Sequence, residues 1–284
     1  MTRDNARCAL ITGASQGLGR AFAEECAGRG IDLVLVALPG TGLREVARIL
    51  ERAYQVRVEA IETDLAPPEA ARTIVAFCRS KELLVDTLIN NAGIGFTSRF
   101  SESCGEQNEA TIQINVGALV RLTQEMLPDL QARRRSWILN VASVGAYFPM
   151  PSMPVYSSTK TFVVTFSRLL RSELRRTPVS VSVLCPNGIR TNRKTRDLIE
   201  KQGWAGRVTC HYPDEVARAG LCGLFRGAGV IVPGMVNRLL IGASPLVPPA
   251  LYMWFIARRW GTEQGVQLKS LHFQRNSVPS SSLA

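Results

Sequence analysis

The chain has 284 residues, 46% of them hydrophobic and 20% charged, and a net charge of +11; these proportions exclude general disorder and allow one large buried core. Its seven cysteines are widely spaced, form no CxxC pair and are accompanied by two histidines, which argues against a zinc site and a disulfide framework and for reduced thiols. The apolar stretch before the first glycines is too short for the core of a secretion signal, so a cytoplasmic location is expected.

Short apolar, β-branched runs alternate with longer amphipathic stretches. The runs are Cys8–Thr12, Asp32–Ala37, Val56–Ile61, Thr87–Asn90, Trp137–Val141 and Val179–Leu184. Continuous apolar strands separated by helix-length segments predict a parallel sheet covered on both faces, a doubly wound α/β fold of Rossmann type. No Ser/Gly/Pro-rich linker interrupts the alternation, so residues 1–260 are expected to form a single domain. The small polar stretch 261–284 is expected to be a flexible tail.

The first strand runs into Thr12-Gly13-Ala14-Ser15-Gln16-Gly17-Leu18-Gly19 and then a helix-forming run. Glycines there allow a tight turn and a close approach of backbone to a pyrophosphate, while the helix N-terminus offers free N–H groups. Tyr156 and Lys160 are four residues apart, so a helix puts them on one face. A nearby ammonium is expected to lower the tyrosine pKa from its ordinary value near ~10.

Taken together, Gly13, Gly17 and Gly19, Asn90-Asn91-Ala92-Gly93, Asn115, Ser143, and Tyr156-Ser157-Ser158-Thr159-Lys160 resemble the single-domain form of the short-chain dehydrogenase/reductase family. The resemblance covers roughly residues 7 to 235, in the family's order and at its separations. It implies an NAD(P)(H)-dependent oxidoreductase interconverting a carbonyl and an alcohol. Tyr156 would be the general acid and base and Ser143 would bind the carbonyl oxygen. Lys160 would hold the nicotinamide ribose, and Asn115 would hold a relay water. It also implies cofactor contacts from Gly13, Ser15, Gln16, Gly17, Leu18, Gly19, Asn91, Ala92, Gly93, Tyr156 and Lys160, with Ile189 and Thr191 at the carboxamide. Asp64 and Leu65 match the family's adenine contacts, although Asp64 reads equally well as a helix cap before Pro67. The family's glycine after the proline is replaced by Asn187, a residue that tolerates positive φ.

Cofactor choice normally rests on an acid, or an arginine, at the end of the second strand. Val36-Ala37-Leu38-Pro39 supplies neither, and the basic charge leans the expectation toward NADP(H) over NAD(H), with Gln16 and Arg44 as candidate phosphate contacts. Asp32 lies at the wrong end of its strand to be the selecting acid.

Residues 201–284 carry nine Lys/Arg against three Asp/Glu, and Leu239–Ala257 are nineteen residues without a charge. Pro245, Pro248 and Pro249 would break a spanning helix; the resemblance implies that the helical segment 192–260 closes over the substrate, so a substrate lid or dimer surface comes first, peripheral membrane contact second and a span last. An apolar lid implies a small, largely apolar substrate. The Val232-Pro233-Gly234 and Asn237 region loosely resembles the family's hydroxysteroid and long-chain ketoacyl reductases. Basic residues interleaved with aromatic platforms are not seen outside this third, so no nucleic-acid partner is expected. The resemblance implies a homodimer or homotetramer formed through the helices carrying Asn115 and Tyr156. A non-catalytic nucleotide-binding scaffold on the same fold is the alternative, and the intact set Asn115, Ser143, Tyr156 and Lys160 weighs against it.

Overall fold

The computed structural model describes residues 7–150, 152–190 and 209–244. Seven strands form one parallel sheet: β1 (Cys8–Thr12), β2 (Asp32–Ala37), β3 (Val58–Glu62), β4 (Thr87–Asn90), β5 (Ser136–Val141), β6 (Val179–Leu184) and β7 (Val230–Ile231). Their order is β3-β2-β1-β4-β5-β6-β7. The reversal of winding between β1 and β4 opens a crevice at the carboxyl ends of the strands, where a ligand binds in this kind of fold.

Helices cover both faces. One face packs α1 (Gly17–Ala27), α2 (Leu43–Tyr54) and α7 (Pro213–Phe225) around Phe22, Leu33, Leu35, Leu50 and Leu221. The other packs α3 (Ala70–Ser80) and α5 (Leu119–Gln131) around Leu10, Val34, Ile74, Leu88 and Met126. The α2 pattern shows why the sequence folds this way: Leu43, Val46, Ala47 and Leu50 are buried at i, i+3, i+4 and i+7, the stripe of a helix lying on a sheet. A third cluster joins α6 (Pro154–Glu173) to β6 through Val163, Val164, Val183 and Cys185. The remaining helices are α4 (Gly105–Ile112), which runs through a π-helical turn at Gln113–Ala118 into α5, and α8 (Met235–Ala243).

Three strands differ from the sequence expectation, β5 only by starting one residue earlier, at Ser136. β3 begins at Val58 rather than Val56, because Gln55 closes α2 in the left-handed conformation (φ 55°), and Val56 turns into the core before pairing starts. β7 was not foreseen; two residues paired to Val183 and Leu184 are too few to leave an alternation in the sequence. Asp32 opens β2, and its carboxylate accepts the Arg57 N–H at 2.9 Å, at the end of the sheet away from the crevice. All seven cysteines are unpaired. Thr191, residues 192–208 and 245–260 of the expected lid, and residues 261–284 lie outside the described residues.

Phe22 is fully buried between β1 and α7, its ring edge 3.1 Å from where a Cβ on Gly220 would lie. Replacing Phe22 with Ala is expected to cost about 3–5 kcal/mol in urea denaturation, since α7 cannot collapse onto the gap without pulling away from the sheet.

Candidate active site

The turn after β1 is shaped by what its glycines lack. Gly13 and Gly17 have φ of 67° and 58°, a region costly for residues with a Cβ. A Cβ on Gly19 would collide with the Gly13 carbonyl oxygen and lie 2.6 Å from Asn91 Nδ2. α1 can therefore start hard against the strand ends, and its N-cap Gln16 makes no side-chain cap bond. Thr12 and Asn91 lock this turn to β4. Asn91 Nδ2 donates to Thr12 O at 2.9 Å, and the Asn91 and Ala92 amides both donate to Thr12 Oγ1 at 3.0 Å. The result is a rigid cradle of backbone at a helix N-terminus, which fits a dinucleotide pyrophosphate.

Gly93 carries the chain past the crevice with its open side toward two polar groups. A Cβ there would be 3.2 Å from both Asn115 Oδ1 and Lys160 Nζ. Asn115, buried within the π-helical turn, holds the backbone at Ile94 with both ends of its amide: Oδ1 accepts the Ile94 N–H and Nδ2 donates to the Ile94 carbonyl, each at 2.8 Å. Nδ2 also donates to Thr159 Oγ1 at 3.0 Å, and Thr159 donates to the Tyr156 carbonyl at 2.7 Å. Both amide protons are engaged, so what Asn115 offers a relay is the second lone pair of Oδ1 on the Gly93 side. A π-helical turn at such a residue is a frequent companion of function.

α6 begins with Pro154 at its first turn, where the missing N–H costs nothing. One turn in, Tyr156 and Lys160 emerge together. Lys160 is 5% exposed and donates to the Val141 carbonyl at 3.0 Å. Burial pulls its pKa down to about 8, against a small upward influence of Cys185. Tyr156 faces Ser143, and the two hydroxyls are hydrogen-bonded. The ring packs so closely on residue 95 that a Cβ on Gly95 would come 2.6 Å from Tyr156 Cδ2. Ser143 follows β5, and its Oγ accepts the Gly145 N–H at 3.0 Å, leaving its own proton to donate.

The expectation that Lys160 lowers the tyrosine pKa is not what this geometry produces. Burial raises the Tyr156 pKa above 10, opposed by the Ser143 hydrogen bond. The lysine nitrogen, 5.8 Å from the centre of the tyrosine ring, aims a proton at Val141. Both groups are pushed toward neutrality, which keeps the phenol protonated and ready to donate.

The other expected positions separate into those near the crevice and those occupied elsewhere. Leu65 is buried; Asp64 is exposed and accepts the Ala66 N–H at 2.9 Å. It is not the helix cap, because α3 starts at Ala70 with Glu69 before it. Arg121 donates to the Leu65 and Ala66 carbonyls at 3.4 and 3.0 Å. Arg44 is bound to Glu62, Nε to Oε2 at 2.6 Å. Ile189 forms a parallel bridge with His211. Asn187 does not use positive φ; its Oδ1 accepts the Gly188 N–H at 2.9 Å and its Nδ2 donates to Asn237 Oδ1 at 3.2 Å. Asn237 is fully buried and donates to the Thr209 and Pro233 carbonyls at 2.9 and 3.0 Å, so a side-chain pair performs the turn that glycine would otherwise make.

Several side-chain partnerships at the site were invisible from spacing. Asn90 Nδ2 donates to Thr123 and to Asn140 Oδ1, and Asn140 Nδ2 donates to Ser167, each at 2.9 Å. This buried chain ties β4, β5, α5 and α6 together beneath the site. Tyr147 bonds with Cys185 and receives a hydrogen bond from Arg168 at 3.0 Å, holding the segment after Ser143 to the end of β6. Tyr156 lines a pocket open to solvent, together with the apolar Phe96, Phe100, Met153 and Val155 and the polar Ser98, Ser103, Gln107, Asn108, Thr111 and Ser152.

A family model described as short chain dehydrogenase matches residues 7–201. The chain belongs to the short-chain dehydrogenase family. Members of this family are oxidoreductases that bind a nicotinamide cofactor, and the cradle above fits that group. Very-long-chain 3-oxoacyl-CoA reductase-A of Danio rerio is 32% identical over 182 residues, 63% of this chain and 56% of that protein. For 17-beta-hydroxysteroid dehydrogenase type 3 of Rattus norvegicus the match is 32% over 192 residues, 66% and 62%. The matches thus span less than two thirds of the length of these curated relatives. The structure of L-sorbose reductase from Gluconobacter frateurii, complexed with NADPH and L-sorbose, has a TM-score of 0.72 at 30% identity and covers 81% of this short-chain dehydrogenase and 97% of that chain.

The buried ammonium carries a stability consequence. Its pKa of about 8 lies below the ordinary 10.5, so the unfolded chain binds more protons between those values and stability rises with pH across that window. Lys160→Met removes the charge and the Val141 bond together. A net gain of about 2 kcal/mol is expected at pH 7, shrinking above pH ~8, vanishing near pH ~9.5 and turning into a loss of about 1 kcal/mol by pH ~10.5, where only the lost Val141 bond counts, as measured by denaturation at each pH.

Proposed function

We propose that this chain interconverts a carbonyl and a secondary alcohol on a small, largely apolar substrate of ketoacyl or steroid type, with Tyr156 as general acid and base. The observation that carries the reading is the Tyr156 phenol, paired with the Ser143 hydroxyl and with the Lys160 nitrogen 5.8 Å from its ring centre, lining a pocket to which Phe96, Phe100, Met153 and Val155 contribute apolar surface. The names of the reductase and hydroxysteroid relatives support the substrate class.

A bound nicotinamide supplies or accepts the hydride. In the reducing direction Tyr156 donates its phenolic proton to the carbonyl oxygen. Ser143 donates a hydrogen bond to the same oxygen and steadies the charge that develops there. Lys160 holds the nicotinamide ribose hydroxyls beside Tyr156. The niche at Gly93, between Asn115 Oδ1 and Lys160 Nζ, is where Asn115 holds the water that returns a proton to the lysine. Gly13, Ser15, Gln16, Gly17, Leu18 and Gly19 cradle the pyrophosphate. Asp64 and Leu65 flank the adenine, Asn91, Ala92 and Gly93 the adjoining backbone edge, and Ile189 and Thr191 the carboxamide.

NADP(H) is proposed over NAD(H) on the basic charge and on the lack of an acid at Ala37 and Leu38. Exposed Ile112, Phe162 and Leu169 on α4 and α6 support a homodimer or homotetramer through those helices. The cytoplasmic location is proposed with a peripheral membrane contact, supported by Met235, Leu239 and Leu240, which stand exposed on α8. Among the described residues no helix is long and apolar enough to cross a membrane.

A cofactor-coupled absorbance screen over ketoacyl esters, steroids and aliphatic aldehydes is expected to find turnover. Tyr156→Phe is then expected to lower kcat at least about 1000-fold while the dinucleotide dissociation constant stays within about twofold, because only the transferable proton is lost. Wild-type turnover in that variant would refute the role given to Tyr156.

A further inference from the structure

Strands β2 and β3 end side by side, with Ala37 opposite Glu62. Side chains alternate across the sheet. Leu33, Leu35 and Ala37 on β2 and Val58 and Ala60 on β3 all belong to the face packed under α1 and α2, so Glu62 stands on that face too. Its carboxylate accepts Arg44 Nε at 2.6 Å from the first turn of α2. This corner is where a doubly wound dinucleotide fold receives the adenosine ribose. An acid is therefore present at the corner after all, one strand over from the position at which the sequence shows none.

We propose that Glu62 and Arg44 together set the cofactor selectivity of this chain, with Glu62 restraining the arginine that the 2′-phosphate of NADP(H) must recruit. The inference rests on the reading that a nicotinamide dinucleotide binds with its adenosine at the end of β2. The arginine side chain is 72% exposed and the glutamate 21%. An ion pair that open shifts an equilibrium by at most about fivefold, so its arginine can change partner. A phosphate monoester carries about −1.5 to −2 at neutral pH and three acceptor oxygens, and thus outcompetes a single carboxylate for the guanidinium. The same carboxylate, left in place, repels that phosphate but accepts the 2′-hydroxyl of NAD(H). The loop between strand and helix leaves room for the exchange: a Cβ on Gly40 or Gly42 would meet nothing within 4 Å. The neighbouring charges, Glu45 and Arg48, are paired with each other at 3.2 Å.

The test is calorimetric titration of the full chain with NADPH, NADH and adenosine 2′,5′-bisphosphate, which reads binding without turnover. Glu62→Gln is expected to tighten NADPH and the bisphosphate about fivefold and to leave NADH level or weaker. Arg44→Ala is expected to weaken the two phosphate-bearing ligands about tenfold with NADH within about twofold. Each variant's melting temperature is recorded alongside, and a change in the NADPH to NADH ratio cannot come from a general loss of fold. If both variants bind and keep the wild-type ratio, the Glu62 and Arg44 assignment is overturned while the dinucleotide reading stands. If the folded wild-type chain binds neither dinucleotide, the parent reading fails and this inference with it.

Discussion

An ammonium group buried at the carboxyl edge of the sheet constrains everything around it. Lys160 is held there by the Val141 carbonyl at 3.0 Å, and it stays in an environment that pulls its pKa down to about 8. A lone buried charge is costly unless its protons are satisfied, so the surroundings are polar only where the lysine needs them to be. Gly93 has no side chain to block it, Asn115 Oδ1 lies across the same niche, and Thr159, one residue before the lysine, is bonded to that asparagine. The loop after β4, the π-helical turn and α6 are thereby joined at one point. Moving any of them moves the lysine.

The same elements are bound a second time, one layer deeper, by the chain from Thr123 through Asn90 and Asn140 to Ser167. Each amide there is buried and bonded, so the network rigidifies rather than destabilises. Together the two layers explain how residues from β4, β5, the π-helical turn, α5 and α6 can meet within hydrogen-bond distance without a ligand to gather them. Preorganised groups of this kind stabilise developing charge without reorganisation. The protonated phenol follows from the same burial: a tyrosine facing Ser143 in a closed corner retains its proton, which is the state a carbonyl reduction starts from.

What could be read from the chain was what is local in sequence. The parallel sheet was legible because its strands are continuously apolar, and the facing of Tyr156 and Lys160 because four residues make one helical turn. The glycine turn was legible because positive φ and close approach demand that residue. What could not be read depends on distance along the chain. Asn90 meets Asn140 across 50 residues and Asn187 meets Asn237 across another 50, and no periodicity announces either. The shift of β3 came from a single left-handed residue, Gln55, whose backbone state its side chain does not declare. The direction of the Tyr156 shift was misjudged for a related reason: spacing gives proximity to a charge but not the depth of burial, and here burial is the larger effect.

The cofactor corner shows how these limits bear on function. Read along β2, the chain carries no selecting group; read across the sheet, register places Glu62 beside Ala37 and α2 brings Arg44 onto it. Selectivity would then be a property of an exchangeable pair rather than of one residue. A single acid at the strand end excludes the extra phosphate outright, and a single arginine invites it. A pair of opposite charges does neither strongly, because its net field is small and its internal bond weak in solvent. Such a corner would bind both dinucleotides with a modest bias. Changing either partner then shifts the bias without touching the lysine, the tyrosine or the glycine cradle on which binding of the rest of the molecule depends.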